Sequence, residues 1–175
     1  MGDSLITVVA IVLSAVLMFV FPLMTMADRT DDISQLAVST ATTEFVDNVR
    51  TTGKLTLDEF SKFEQNINST GNTYDIEMKI GTLDENPSKK TTQVSADKIG
   101  ENVRYSKFTS QITNELDNSS NHSIILKEGD IFSVSVKNTN VTLSQQLKNF
   151  LYTVAGNDSY TIAAQHAGIV TVNGN

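Results

Sequence analysis

The longest apolar segment of the chain lies at its N-terminus. Residues Leu5 to Met26 form a run of 22 residues without a charge, and a helix needs about 20 residues to cross the hydrocarbon core of a bilayer. Apolar residues then recur at spacings of three and four, at Ile33, Leu36, Ala37, Ala41, Phe45, Val46 and Val49. The pattern predicts one helical rod that leaves the membrane and ends near Gly53, with a bend at Pro22.

Two other interpretations of the apolar run are less favourable. A secretory signal peptide has a basic start and an apolar stretch of about 7–15 residues, whereas the first basic residue here is Arg29 and the run is longer. Cleavage after the loosely matching Thr25-Met26-Ala27 stays open. A buried core helix would need apolar partners on all sides, and the rest of the chain has too few. We therefore expect a retained membrane helix with lipid as its first partner.

The remaining pattern predicts a small α+β domain. Thr56 and Glu59 fit a capping box that opens a helix, and Tyr74 to Ile80 alternate as a strand with one buried face. Residues 81–102 read as a long loop with a strand fragment at 91–94. Further predictions are a helix carrying Tyr105, Phe108, Ile112 and Leu116, a hairpin of 124–126 with 131–137, a helix capped by Thr142, and a closing strand 160–172 with a bulge at Gly168.

Composition excludes several classes of function. The net charge is −7, from 13 basic and 20 acidic residues, with no basic cluster, so nucleic acid is not an expected partner. The chain has no cysteine, which excludes disulfides and thiolate chemistry. Its two histidines, His122 and His166, have no spaced partner that resembles a metal or catalytic motif. We expect no enzymatic activity, no metal and no cofactor.

In layout the chain resembles the TadE-like, pilin-like proteins of bacterial tight-adherence (Tad) pilus systems. The layout is a short N-terminal tail, an apolar helix that continues as an amphipathic one, and a small sheet domain. Two segments carry the resemblance most clearly, 44–56 (EFVDNVRTTGKLT) and 127–138 (KEGDIFSVSVKN). The resemblance implies a pilin-like fold and a membrane-anchored subunit of a pilus or pilus-assembly complex.

The resemblance also suggests residues for assembly. In processed pilins an acidic residue near the start of the helix can pair with a neighbour's N-terminal amine, and Asp3 follows Gly2 at the matching place without a basic leader. Asp3 is therefore an assembly candidate, although its charge also suits the N-terminal helix dipole. Independently of the resemblance, Ala10 and Ser14 form a small-xxx-small pair that permits close helix packing. Pro22 is either a packing bend in a filament or an isolated kink.

These inferences define two hypotheses. The first is a non-enzymatic pilin-like subunit, with a helical spine at 1–52 and an extracytoplasmic α+β domain at 53–175, that associates with itself or with other pilin-like subunits. The second is a single-pass binding or sensor domain of the cell envelope that uses the helix only as a tether. The positive-inside rule has only Arg29 to count. The expected location, the cytoplasmic membrane with the domain outside the cytoplasm and assembly into a surface filament as an option, follows from composition and resemblance.

Overall fold

The computed structural model describes residues 2–84, 104–152 and 161–175. Within them the elements follow the order α1 (Gly2–Thr52), β1 (Lys54–Thr56), α2 (Leu57–Asn68), β2 (Tyr74–Leu83), β3 (Arg104–Phe108), α3 (Thr109–Asn118), β4 (Ser123–Ile125), β5 (Ile131–Asn138), α4 (Leu143–Tyr152) and β6 (Ala163–Ile169). A long N-terminal apolar helix followed by a small antiparallel sheet domain was the predicted α+β architecture, and it is confirmed at this level.

Helix α1 is unbroken over 51 residues, which corresponds to about 75 Å at 1.5 Å per residue. It continues through Pro22 and through the acidic residues Asp28 to Asp32, so no linker separates the apolar run from the domain. One helix is long and apolar enough to span a membrane, and its most apolar 18-residue window has a mean hydropathy of 2.8 and is 0% buried. That exposure is incompatible with a buried core helix.

The main sheet has four antiparallel strands in the order β3-β2-β5-β6. Its inner face carries Met78 and Ile80 from β2 and Phe132, Val134 and Val136 from β5, all buried. The domain half of α1 and helix α2 pack on this face. The predicted capping box of α2 is confirmed, since Thr56 accepts from the Glu59 amide and the Glu59 side chain accepts from the Thr56 amide.

The predicted hairpin of residues 124–126 with 131–137 is wrong. Strand β4 pairs with the unpredicted strand β1 in a separate two-stranded sheet, while β5 lies between β2 and β6. The turn between β4 and β5 looked like a hairpin connection, but three backbone hydrogen bonds hold β4 to the end of α1 instead. The Leu126 amide donates to the Gly53 carbonyl at 2.8 Å, and the Gly174 amide donates to Leu126 at 3.0 Å.

Two further boundaries differ from the sequence pattern. Tyr105 and Phe108 belong to strand β3, and the helix with buried Ile112 and Leu116 begins only at Thr109. Four-residue spacing across the boundary imitated one helix. The closing strand spans Ala163–Ile169 and has no bulge, because Gly168 stays in register opposite Phe132. Its lack of a side chain instead admits Arg50, whose Cδ would lie 2.8 Å from an added Cβ.

Other predictions lie outside the described residues. The strand fragment at 91–94 and the start of the closing strand at Tyr160 cannot be compared with the structure. The helix capped by Thr142 is confirmed as α4, where the Thr142 hydroxyl accepts from the Gln145 amide at 3.3 Å and the Gln145 side chain accepts from the Thr142 amide at 3.0 Å.

Candidate functional site: the two faces of helix α1

The face of α1 that contacts the domain begins at Ala27. Its buried residues follow one another at spacings of three or four, which places them on one side of the helix: Ala27, Asp31, Ser34, Val38, Thr42, Phe45 and Val49. The sequence pattern had assigned Leu36 to this face, and that assignment is wrong, because Leu36 is 68% exposed. Small polar side chains occupy buried positions here, so a search for apolar residues alone selected the wrong side.

The membrane-proximal part of this face is fastened by polar contacts. The Thr142 hydroxyl donates to Asp31 Oδ2 at 2.7 Å. The Lys148 ammonium lies 2.6 Å from Asp28 Oδ1, and the Ser144 hydroxyl donates to the same carboxylate. The hydrogen bond from Lys148, followed by that from Ser144, lowers the pKa of Asp28 below its ordinary value. Two of the three acidic residues after the apolar run therefore hold α4 against α1.

Strand β6 fastens α1 further along its length. The Gln35 side chain accepts from the Ala163 amide at 2.9 Å and donates to the Ala163 carbonyl at 2.7 Å. The Arg50 side chain forms an ion pair with Asp47 at 3.1 Å and donates to the Ile169 carbonyl at 3.3 Å. These contacts connect α1 to the sheet over about 15 residues, or roughly four turns, so the domain has a fixed orientation relative to the helix.

The opposite face of α1 stays apolar and exposed beyond the apolar run. Met26, Ile33 and Leu36 are 67%, 69% and 68% exposed. Their spacings of seven and three place them on one side of the helix. Ile33 and Leu36 follow the charged residues at 28–32, so they lie on the domain side of that charged segment. We call these three residues the outer stripe.

The predicted assembly candidates all lie on the exposed, membrane-length part of α1. Asp3, Ala10, Ser14 and Pro22 are exposed, and Asp3 is in the first turn, where its carbonyl accepts from the Thr7 hydroxyl at 2.8 Å. Ala10 and Ser14 are one turn apart on the same side of the helix. The structure of a single chain does not test what they bind, and their roles stay predictions.

The histidines occupy structural positions. His122 is in a turn with a φ of 46° and its Nδ1 lies 3.0 Å from the Leu116 carbonyl. His166 Nε2 lies 3.5 Å from Asp47 Oδ1 at the junction of β6 with α1. Within residues 2–84, 104–152 and 161–175, no three histidine or acidic side chains are grouped in a way that could hold a metal ion. The expectation that the protein is not an enzyme stays a prediction.

A groove on the outer face of the sheet escaped the sequence analysis. Its volume is about 590 Å³, and its lining includes Glu77, Lys79, Phe108, Ser133 and Gln165. The Lys79 ammonium lies 5.8 Å from the centre of the Phe108 ring, a distance typical of a cation–π contact. The alternating polar residues of β2 had indicated a solvated face, but the ring comes from β3, whose pairing was not predicted.

Comparisons with models of known families, with curated proteins and with solved structures found no match. The functional argument therefore depends on the geometry of α1 and of the domain packed on it.

Proposed function

We propose that the protein is a non-enzymatic, pilin-like subunit, anchored in the cytoplasmic membrane, that associates through α1 with copies of itself or with other pilin-like subunits of a pilus or pilus-assembly complex. The outer stripe is the observation that carries this proposal. The apolar run of Leu5 to Met26 is explained by anchoring alone, but Ile33 and Leu36 lie past it and are about two-thirds exposed.

The energetics favour a protein partner for the outer stripe. Burying a large aliphatic side chain contributes about 1.5–3 kcal/mol, and contiguous exposed apolar surface on a soluble domain commonly marks an interaction site. A tether needs neither an apolar surface outside the bilayer nor a rigid connection. Here the helix is continuous and its inner face is fixed to the sheet by Gln35 and Arg50, so a packed array of α1 helices would also set the orientation of the domains.

The membrane part of α1 offers a second packing surface. Within the bilayer, small residues allow helix backbones to approach closely, and Ala10 and Ser14 supply such a pair on one side of the helix. Asp3 would contribute at the N-terminal end if it meets a neighbour's amine, as the resemblance to pilins implies. The domain would then lie outside the cytoplasm, in agreement with its composition rich in Asn, Ser and Thr.

Disulfide crosslinking tests the association directly, because the native chain has no cysteine. Single-cysteine variants Ser14→Cys and Leu36→Cys, oxidised in intact membranes, should give dimers. Asn121→Cys is the matched control, because Asn121 is exposed in a turn of the domain and is not part of the proposed contact. Equal crosslinking at all three sites, or none at Ser14 and Leu36, would contradict the association.

The alternative function is a membrane-tethered binding or sensor domain, which the groove beside Lys79 and Phe108 favours. In that case α1 is only a tether, the crosslinks at Leu36 fail, and Lys79→Ala abolishes binding of a wall polymer or envelope protein. Gene neighbourhood is the quickest discriminator. A secretion ATPase, a TadC-like membrane protein and a prepilin peptidase next to the gene would favour the pilin-like subunit, and a two-component regulator would favour the sensor.

A further inference from the structure

Helix α4 belongs to an excursion from the sheet toward the apolar part of α1. Strand β5 ends at Asn138, and its amide donates to the Ile162 carbonyl at 2.9 Å. The Ile162 amide in turn donates to the Asn138 side chain at 3.1 Å. The chain therefore leaves the sheet after Asn138 and returns directly opposite, just before β6. The residues between these two points are not needed to connect adjacent antiparallel strands, for which a turn of two residues suffices.

The contacts of α4 give its direction along α1. Thr142, just before α4, binds Asp31, whereas Ser144 and Lys148 bind Asp28. As α4 proceeds, its partners thus move toward the N-terminus of α1, so the two helices run antiparallel. From Thr142 to the end of α4 the helix rises about 15 Å, which would bring its end to the level of the last turns of the apolar run.

The burial of α1 agrees with this direction. Between Asp3 and Met26, all residues are exposed except Val20 and Met24, which are half-buried. These two residues share the side of the helix that carries Ala27 and Asp31, since the spacings are four, three and four. The covered side of α1 therefore extends about two turns into the segment that we assign to the membrane.

The composition of this excursion suits a lipid interface. Residues 138–157 contain a single charged residue, Lys148, and its ammonium is paired with Asp28 at 2.6 Å. Pairing removes the principal cost of bringing a charge to the edge of the hydrocarbon layer. Val141 and Leu143 are 56% and 59% exposed. The sequence at the end of α4 is Phe150-Leu151-Tyr152, and aromatic residues are enriched where a bilayer meets water.

We infer that α4 lies in the interfacial layer of the bilayer beside α1, with phospholipid as the occupant of its exposed surface, so that the protein contacts the membrane through two elements. This inference rests on the proposed membrane anchoring by α1. Continuity favours lipid over a protein partner, because α4 descends along the same helix whose lower part is apolar on every side. The acidic residues Asp28 and Asp31 then lie at the headgroup level with their charges engaged by α4.

Fluorescence quenching in vesicles tests this placement on the full chain. Single-cysteine variants Leu143→Cys and Gln146→Cys are labelled with the environment-sensitive dye NBD and reconstituted in vesicles of phosphatidylcholine and phosphatidylglycerol. Asn121→Cys is the water-exposed control, and Val9→Cys is the reference for the membrane interior. We expect nitroxide-labelled lipids to quench the labels at Leu143 and Gln146 and aqueous iodide to quench them less than the label at Asn121.

The outcomes separate this inference from the anchoring on which it rests. If the Val9 label is quenched by lipid while the labels on α4 respond to iodide as Asn121 does, the inference is overturned and anchoring stands. If the Val9 label is not quenched by lipid, both fail. If the α4 labels are protected from iodide without quenching by lipid, and lose protection at one protein per vesicle, the occupant is a second copy and the lipid assignment is wrong.

Discussion

Phe45→Ala is the sharpest test of the packing between α1 and the domain. The Phe45 ring is 6% exposed. It stacks on Phe63 with 4.5 Å between ring centres and meets Phe132 edge-on at 5.8 Å and Phe60 at 6.3 Å. This aromatic cluster joins α1 to α2 and to strand β5, so the loss of one ring affects three elements.

The expected cost follows from these contacts. Full burial of a phenylalanine contributes about 1.5–3 kcal/mol, and each favourable ring pair adds about 0.5–1.5 kcal/mol. The free energy of unfolding should therefore fall by about 3–5 kcal/mol, the range found for Phe→Ala changes in cores. For a chain of this size such a loss lowers the Tm by about 10 °C.

Leu36→Ala is the matched control. It removes a large apolar side chain from the same helix, but at a position that is 68% exposed, so in detergent-solubilised monomers its effect should stay within about 0.5 kcal/mol. Thermal unfolding followed by near-ultraviolet circular dichroism compares the two variants. An unchanged Tm for Phe45→Ala, or equal losses in both variants, would refute the packed spine.

Two other predictions concern the fixation of α1. Gly53→Ala should destabilise the protein far more than Gly71→Ala in urea unfolding, although both glycines have positive φ (66° and 82°), because an added Cβ at Gly53 would lie 2.3 Å from the Val172 carbonyl oxygen and Gly71 has open space; equal losses would contradict the close approach of the C-terminal segment. Because Lys148 lowers the pKa of Asp28, the ionised carboxylate stabilises the fold above its ordinary pKa and this contribution is lost as the pH falls through the lowered value. The loss of Tm caused by Asp28→Asn at neutral pH should therefore shrink once the pH falls below 3.8, and a loss that is the same at every pH would contradict the ion pair.

Several features of the protein follow from the sequence alone. The uncharged run of Leu5 to Met26 determines a long apolar helix, because each backbone group can be satisfied within the helix and no other part of the chain could cover its surface. The capping box of Thr56 and Glu59 and the alternation in β2 depend on contacts between neighbours a few residues apart. Such local signals do not require knowledge of the fold, and they were confirmed.

The faces of α1 and the pairing of the strands were decided only in three dimensions. Buried Asp31 and Ser34 read as solvated residues in the sequence, because their position against α4 and the sheet depends on residues more than 100 positions away. Ile33 and Leu36 read as core for the same reason. Likewise, β4 pairs with β1 rather than β5 because Leu126 bonds to Gly53 at the end of α1, a contact that no local pattern encodes. The sequence thus determined which segments are helical and apolar, and the tertiary structure determined which of their surfaces are left for partners.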